Sequence, residues 1–260
     1  MLMAAFGSSN AIHLPSSWRA GWWACCFSTD LAVRRARCSR WAITCTTGGL
    51  TVSAPLLPGH GGTLAEINRT RWREWAGAVE AVCARLQTCC ASCVVAGFSM
   101  GSLLTLWLAE NTTKLAGIVL YSPAVKLADW RFHLTPLLRY VVKSFRISGG
   151  SDLHDPATAV WMGGYDCYPI LAAAELWFLQ QHVLRGVARI RVPVLVVYSE
   201  DDRSIHRQVG PMIVRHLVDC APVEVMVLRD SGHAITVDRE WESVAEATYR
   251  FVQQCAGGIG

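Results

Sequence analysis

The sequence predicts an α/β fold, a mostly parallel sheet with helices on both faces, and three observations lead there. From Gly49 onward, short apolar runs rich in β-branched residues alternate with stretches of helical spacing, the pattern of strands joined by crossover helices. One such run, residues 93–96, is separated from the helix formers of 103–110 only by Gly97-Phe98-Ser99-Met100-Gly101 and one serine, a strand running through a sharp turn into a helix. The composition, 52% hydrophobic and 17% charged over 260 residues, supports one domain with a full core and excludes a disordered chain.

In chain order, residues 50–54 read as a strand and 55–62 (Pro-Leu-Leu-Pro-Gly-His-Gly-Gly) as a loop. Thr70 is placed to cap a helix, with Glu74 in its first turn. Trp72, Trp75, Ala76, Val79, Val82, Cys83 and Leu86 then recur at helical spacing. Residues 116–121 read as a buried strand. Residues 123–186 interrupt the alternation with Pro123, Pro136, Pro156, Pro169, several aromatics and Gly149-Gly150. They are expected to form a helical cap insert, with helices near 134–145 and 170–184. The alternation resumes with a strand at 193–198, a helix at about 207–219, a strand at 223–228 and a helix at about 239–255. No internal repeat or low-complexity tract is visible.

Residues 1–47 differ from the domain of 48–260. They hold four of the 11 tryptophans and four of the 11 cysteines, with no period of 2 or 3.6. They also carry five arginines and one acid, Asp30, so removing five from 24 bases and one from 20 acids leaves 19 of each sign in the remainder. A neutral main body gives no case for nucleic acid. Eleven cysteines, an odd number, argue against a complete disulfide framework. Cys89, Cys90 and Cys93 lack a histidine pair at zinc-finger spacing, and Cys93 opens a strand, so no metal is expected. No run reaches about 18 apolar residues, and no secretory signal pattern is present, so a cytoplasmic location is the expectation.

The chemistry concentrates at Gly97-Phe98-Ser99-Met100-Gly101, which fits G-x-S-x-G. Small residues two before and two after the serine let a strained strand-to-helix turn close and leave its hydroxyl clear of the sheet edge. The following helix directs its amides toward a developing negative charge. A serine hydroxyl needs a base, and the base an orienting carboxylate. Two loops directly after predicted strands supply candidates, Glu200-Asp201-Asp202 and Asp230-Ser231-Gly232-His233. Strand ends of a parallel sheet converge on one edge, so these loops can meet Ser99 there. His13 lies in the odd N-terminus, His133, His154 and His182 in the insert, and His206 and His216 on or beside a helix. His60 is better explained as pinning its own loop.

From Gly49 to about Gln254 the chain resembles α/β-hydrolases of the bacterial carboxylesterase and monoacylglycerol-lipase type. The matching stretches are Pro58-Gly59-His60-Gly61, the Ser99 motif, the acid loop ending in Asp202, and Ser231-Gly232-His233. The family acid usually stands three residues before a branched apolar residue, so Asp202, with Ile205, is preferred to Asp201, and Glu200 ranks third. The resemblance implies an α/β-hydrolase fold and a serine esterase or lipase acting on short- to medium-chain esters or monoacylglycerols. Ser99 would be the nucleophile, His233 the base, Asp202 the acid, and the Met100 N–H an oxyanion donor, with no cofactor. Thioester hydrolysis or acyl transfer on the same triad, and an impaired hydrolase serving as a binding protein, remain open. Leu134, Leu137, Leu138, Tyr140, Trp161, Tyr165, Leu176, Trp177 and Phe178 of the insert are candidates for an acyl pocket, or for packing the cap onto the domain.

One family feature is absent. A strand ending in His-Gly, whose loop gives a second oxyanion donor, has no counterpart before Gly49, so the N-terminal strands are expected to be missing or disrupted. Back-translation of residues 23–35, read from the third base of each codon, can encode Gly-Val-Leu-Leu-Phe-His-Gly-Phe-Ser-Gly-Thr-Pro. The hypothesis is that residues 1 to about 47 are an out-of-frame translation, with the frame restored near Gly48. The alternative is a divergent N-terminal extension.

Overall fold

The computed structural model describes residues 22–29, 51–88, 90–146, 151–161, 167–217 and 222–257. In chain order the strands and helices are β1 (Trp22–Thr29), β2 (Thr51–Ser53), α1 (Leu64–Ile67), α2 (Trp72–Gln87), β3 (Ser92–Ser99), α3 (Met100–Asn111), β4 (Gly117–Tyr121), α4 (Thr135–Leu138), β5 (Ser144–Arg146), β6 (Cys167–Pro169), α5 (Ile170–Gly186), β7 (Val194–Ser199), α6 (Val209–His216), β8 (Val223–Leu228) and α7 (Trp241–Gly257). Six strands form one sheet in the order β2-β1-β3-β4-β7-β8, every neighbouring pair parallel. The remaining two, β5 and β6, pair antiparallel within the insert.

Successive strand side chains point to opposite faces, and each face has its own helical cover. Val95, Ile118, Leu120, Val194 and Val196 pack with Trp75 and Val79 of α2, Leu103 and Leu106 of α3, Leu176 and Leu179 of α5 and Ile213 of α6. Val94, Ala96, Phe98, Val119, Tyr121, Leu195 and Val197 pack with Val244, Phe251 and Val252 of α7. Both faces are therefore dry, which is why these strands read as continuous apolar runs.

The structure corrects three expectations. The first concerns the N-terminal strand, expected to be missing or disrupted. Trp22–Thr29 is a full strand lodged between β2 and β3. A central strand of a doubly covered sheet needs no alternation, and the apolar run from Trp22 to Phe27 has none, so no period marks it. The other parts of the atypical segment, 1–21 and 30–47, lie outside the described residues. The second concerns the Thr70 cap. Thr70 Oγ1 instead donates to the Ile67 carbonyl, at 2.7 Å, and α2 starts one residue later from Arg71, whose N–H donates to the Glu74 carboxylate at 2.8 Å.

The third concerns the helix expected near 134–145, which shrinks to a 3₁₀ turn at Trp130–Leu134, the single turn of α4, and then β5. Pro136 suits a first helical turn, but Leu137, Tyr140 and Val141 find no apolar cover among the described residues and are 71–79% exposed. By contrast α5, at the end of the insert, is anchored in the main helical layer. Asn68 Oδ1 accepts the Leu171 N–H and Glu175 accepts the Trp72 N–H, so α5 is tied to both ends of the α1–α2 connection. No helix among the described residues is long and apolar enough to cross a membrane.

Candidate active site

Strand β3 ends at Ser99 and α3 begins at Met100, with no residue between them. Ser99 makes the turn with φ 54° and ψ −114°, and the only other non-glycine residue of positive φ among the described ones is Ser122, at 41°. Such angles cost of order 1–3 kcal/mol and persist only where the surroundings impose them. They do so here. A Cβ at Gly97 would overlap the Gly101 carbonyl and come within 2.5 Å of Thr105 Oγ1, so the turn closes only around glycine. Ser102 Oγ lies 2.7 Å from the Gly97 carbonyl and 3.0 Å from that of Tyr121, fastening the turn to β4. Met100 is the first residue of α3, where an N–H has no acceptor within the helix.

Strands β7 and β8 are sheet neighbours, and the loops at their C-terminal ends meet this turn. His233 Nε2 lies 3.0 Å from Ser99 Oγ, and His233 Nδ1 lies 2.7 Å from Asp202 Oδ2. The other oxygen of Asp202 accepts the N–H groups of Ser204 and Ile205 at 2.8 and 3.0 Å, which orients the carboxylate. All three residues are 6–7% exposed. The acid loop is itself held, since Ile205 bridges to Leu127, and the Lys126 carbonyl accepts the His206 N–H. Phe98 packs its ring 5.0 Å from that of His233.

Asp202 is thus the acid brought to His233. Asp201 is half-exposed and faces His154 at 3.6 Å, while Glu200 faces Arg229 at 3.5 Å. His60 behaves as its sequence context suggested: Nδ1 lies 3.1 Å from the Pro58 carbonyl, within its own loop. The insert residues put forward for an acyl pocket, or for packing the cap onto the domain, are not gathered in one place among the described residues. Leu137 and Tyr140 face solvent, Leu176 is buried in the main core, and Tyr165 and the Trp161 side chain lie outside the described residues. A cavity of about 880 Å³ lies beside the acid, lined by Asp202 with His154, Asp201, Arg203, His206 and Arg207, but not by Ser99 or His233. Among the described residues no cluster of histidine, cysteine or acidic side chains suits a metal, and Cys89 lies outside them.

Sequence reasoning missed three residues around His233. Asp238, fully buried, accepts the N–H of Gly232 at 2.7 Å and those of Asp155 and His154 at 2.9–3.1 Å. Asp152 accepts the His233 N–H at 2.9 Å, and Ser122 Oγ donates to the His233 carbonyl at 2.9 Å. Their partners are backbone groups, most of them far off in sequence, so no local motif marks them.

Comparison with known proteins identifies the family and the fold. The model of the alpha/beta hydrolase family matches residues 7–247. A thermostable monoacylglycerol lipase from Bacillus sp. (strain H-257) is 30% identical over 212 residues, 80% of this chain and 82% of that protein. Among solved structures, one from the work on the metagenome-derived lipolytic enzymes LipS and LipT superposes with a TM-score of 0.83 at 22% identity, covering 90% of this chain and 94% of that one. The monoacylglycerol lipase of Paleococcus ferrophilus superposes at 0.74 with 19% identity and the same coverage. With the Ser99 turn, the two loops beside it and a family match spanning most of the sequence, the chain belongs to the alpha/beta hydrolase family and is a homologue of a monoacylglycerol lipase.

Proposed function

We propose that the protein hydrolyses carboxylic esters, short- to medium-chain acyl esters or monoacylglycerols, through an acyl-enzyme on Ser99. The observation that carries this reading is the unbroken relay of 3.0 and 2.7 Å from Ser99 Oγ through His233 to Asp202. In the proposed mechanism His233 Nε2 takes the hydroxyl proton as Ser99 Oγ bonds to the ester carbonyl carbon. Asp202 holds the ring and balances the imidazolium that forms. The carbonyl oxygen becomes an oxyanion facing the Met100 N–H at the start of α3, where the helix dipole adds to the stabilisation. His233 then returns the proton to the departing alcohol, leaving the acyl group on Ser99. Water, deprotonated by His233, attacks that acyl carbon, and the carboxylic acid leaves with Ser99 restored.

The relative's name supports the monoacylglycerol end of the substrate range. A panel of p-nitrophenyl esters of increasing chain length, with monoacylglycerols beside it, tests the reading. Turnover with a preference along the series is expected, together with labelling of Ser99 by a fluorophosphonate probe. A second reading, a binding protein that keeps the fold without the rate, is favoured by one observation: residues 1–47 contain no His-Gly pair to serve as the second oxyanion loop. Absence of both turnover and labelling decides for it.

A further inference from the structure

His233 is held at both ends of its backbone by side chains from outside its own loop, Asp152 at the N–H and Ser122 at the C=O. The same oxygen of Asp152, Oδ2, also accepts the N–H of Arg203, the residue after Asp202, at 3.1 Å. One carboxylate oxygen therefore joins the amide of the base to the amide beside the acid. The Asp152 main chain presses against the neighbouring Gly232, where a Cβ would overlap its carbonyl, which accounts for a glycine before His233. The rest of this segment is secured without the Asp152 carboxylate. Asp238 takes the amides of His154 and Asp155, and the His154 ring lies 2.9 Å from Asp230 and 3.6 Å from Asp201.

We propose that Asp152 is a positioning residue, a clamp from the insert that sets the separation of His233 from Asp202. The inference rests on the assignment of Ser99, His233 and Asp202 given above. The 2.7 Å bond between His233 and Asp202 joins side chains on two separate loops, and a drift of about 1 Å between such groups costs about 10²-fold in rate. Because both bonds end on one oxygen, Asp152→Asn can keep both through its amide oxygen and loses only the charge. Asp152→Ala loses both bonds, while Asp238 still holds the segment.

The test compares Asp152→Ala and Asp152→Asn with the parent protein in two measurements: kcat and KM on a p-nitrophenyl ester, and the downfield NMR resonance of the proton between His233 Nδ1 and Asp202 in the resting protein. Asp152→Ala is expected to lose about 10²-fold in kcat with KM unchanged, and to lose the downfield proton. Asp152→Asn is expected to keep most of the rate and the proton. If the alanine variant does not fold, Asp152→Glu replaces it; it keeps the charge, shifts the oxygen by one methylene, and should show the same losses. A folded alanine or glutamate variant with parental kcat and a parental downfield proton overturns the proposal, as do equal losses in Asp152→Asn and Asp152→Ala, which would assign the effect to charge. A parent that neither hydrolyses esters nor reacts with a fluorophosphonate overturns the ester-hydrolase reading instead, and the NMR comparison then decides on the clamp alone.

Discussion

Strands β1 and β3 lie side by side, paired from Trp22 opposite Ser92 to Thr29 opposite Ser99, yet only one of them is legible. β3 is marked by the turn at its end, which closes only around glycine at 97 and holds a serine at φ 54°. β1 has an apolar run and nothing recognisable at its end. A strand's place in a parallel sheet needs only backbone pairing and side chains that tolerate burial, which many apolar runs provide. Its legibility comes from the constrained turn at its C-terminal end, which carries the proposed nucleophile. The two strands reach the same edge of the sheet, so the comparison can be pressed by altering each end in turn.

The largest effect is expected at the end of β3. Ser99→Ala removes the proposed nucleophile and should lower kcat by about 10⁶-fold, leaving the melting temperature near the parent's because one hydroxyl at the turn contributes little packing. More than trace activity in that variant would exclude Ser99. Next comes the acid loop after β7. Asp202→Asn keeps the shape but donates where it should accept, and a loss of about 10⁴-fold is expected in kcat. Asp201→Asn, at a half-exposed side chain facing His154, should cost far less. Reversal of the two effects in steady-state kinetics would show the acid to be Asp201.

The same contrast explains how much of the site could be read from sequence. Ser99, Asp202 and His233 were legible because each lies at or just beyond the C-terminal end of a strand and each belongs to a short local pattern. Ile205 pointed to the member of the Asp201–Asp202 pair that lies 2.7 Å from His233, and its N–H is bonded to the Asp202 carboxylate. Ser122, Asp152 and Asp238 were illegible for the opposite reason. Ser122 and Asp152 bond main-chain groups of His233 that lie 111 and 81 residues away in sequence, and a backbone N–H or C=O carries no residue identity to recognise. The insert misled because helical spacing around Leu137 and Tyr140 looks the same whether or not anything covers it.

A third effect is expected from the end of β1. In the shifted reading of the N-terminal codons, the apolar stretch falls on positions 25–28 and the His-Gly pair on 29 and 30. The observed strand covers 22–29, and position 29 pairs with Ser99. The hypothesised loop would therefore leave the sheet beside the nucleophile, where a second oxyanion donor belongs. Replacing residues 23–47 by an in-frame strand and His-Gly-Phe-Ser-Gly loop should raise kcat by about 10²–10³-fold, the rate attached to one such donor. It should change the melting temperature little, because a strand already lies between β2 and β3. Fluorophosphonate should still label Ser99, only faster. If the sequence as it stands already matches the replaced version in rate, residues 1–47 form a working loop of another kind. DNA sequencing that verifies one continuous reading frame would falsify the frame slip directly.

The smallest effect lies at the far end of the helix that β3 feeds, and it separates stability from chemistry. Glu110, in the last turn of α3, has a side chain only 1% exposed, and neither carboxylate oxygen has a hydrogen-bond partner among the described residues. Gly186 at the end of α5 is so close that a Cβ there would overlap Glu110 Oε2. Burial pushes the Glu110 carboxyl up from 4.5 to about 7, with Arg189, 3.7 Å away and itself largely exposed, pulling weakly the other way. Between 4.5 and about 7 the folded chain thus binds more of this proton than the unfolded chain does. Its contribution to stability is complete below 4.5, is lost as pH rises through that window, and levels off above about 7. Glu110→Gln is neutral at every pH and should remove this slope, worth at most a few kcal/mol across the window. Denaturant midpoints of both proteins measured at several pH values check it. Parallel curves would mean that the Glu110 carboxyl titrates in the fold as it does in water, and that the closed end of α3 admits solvent.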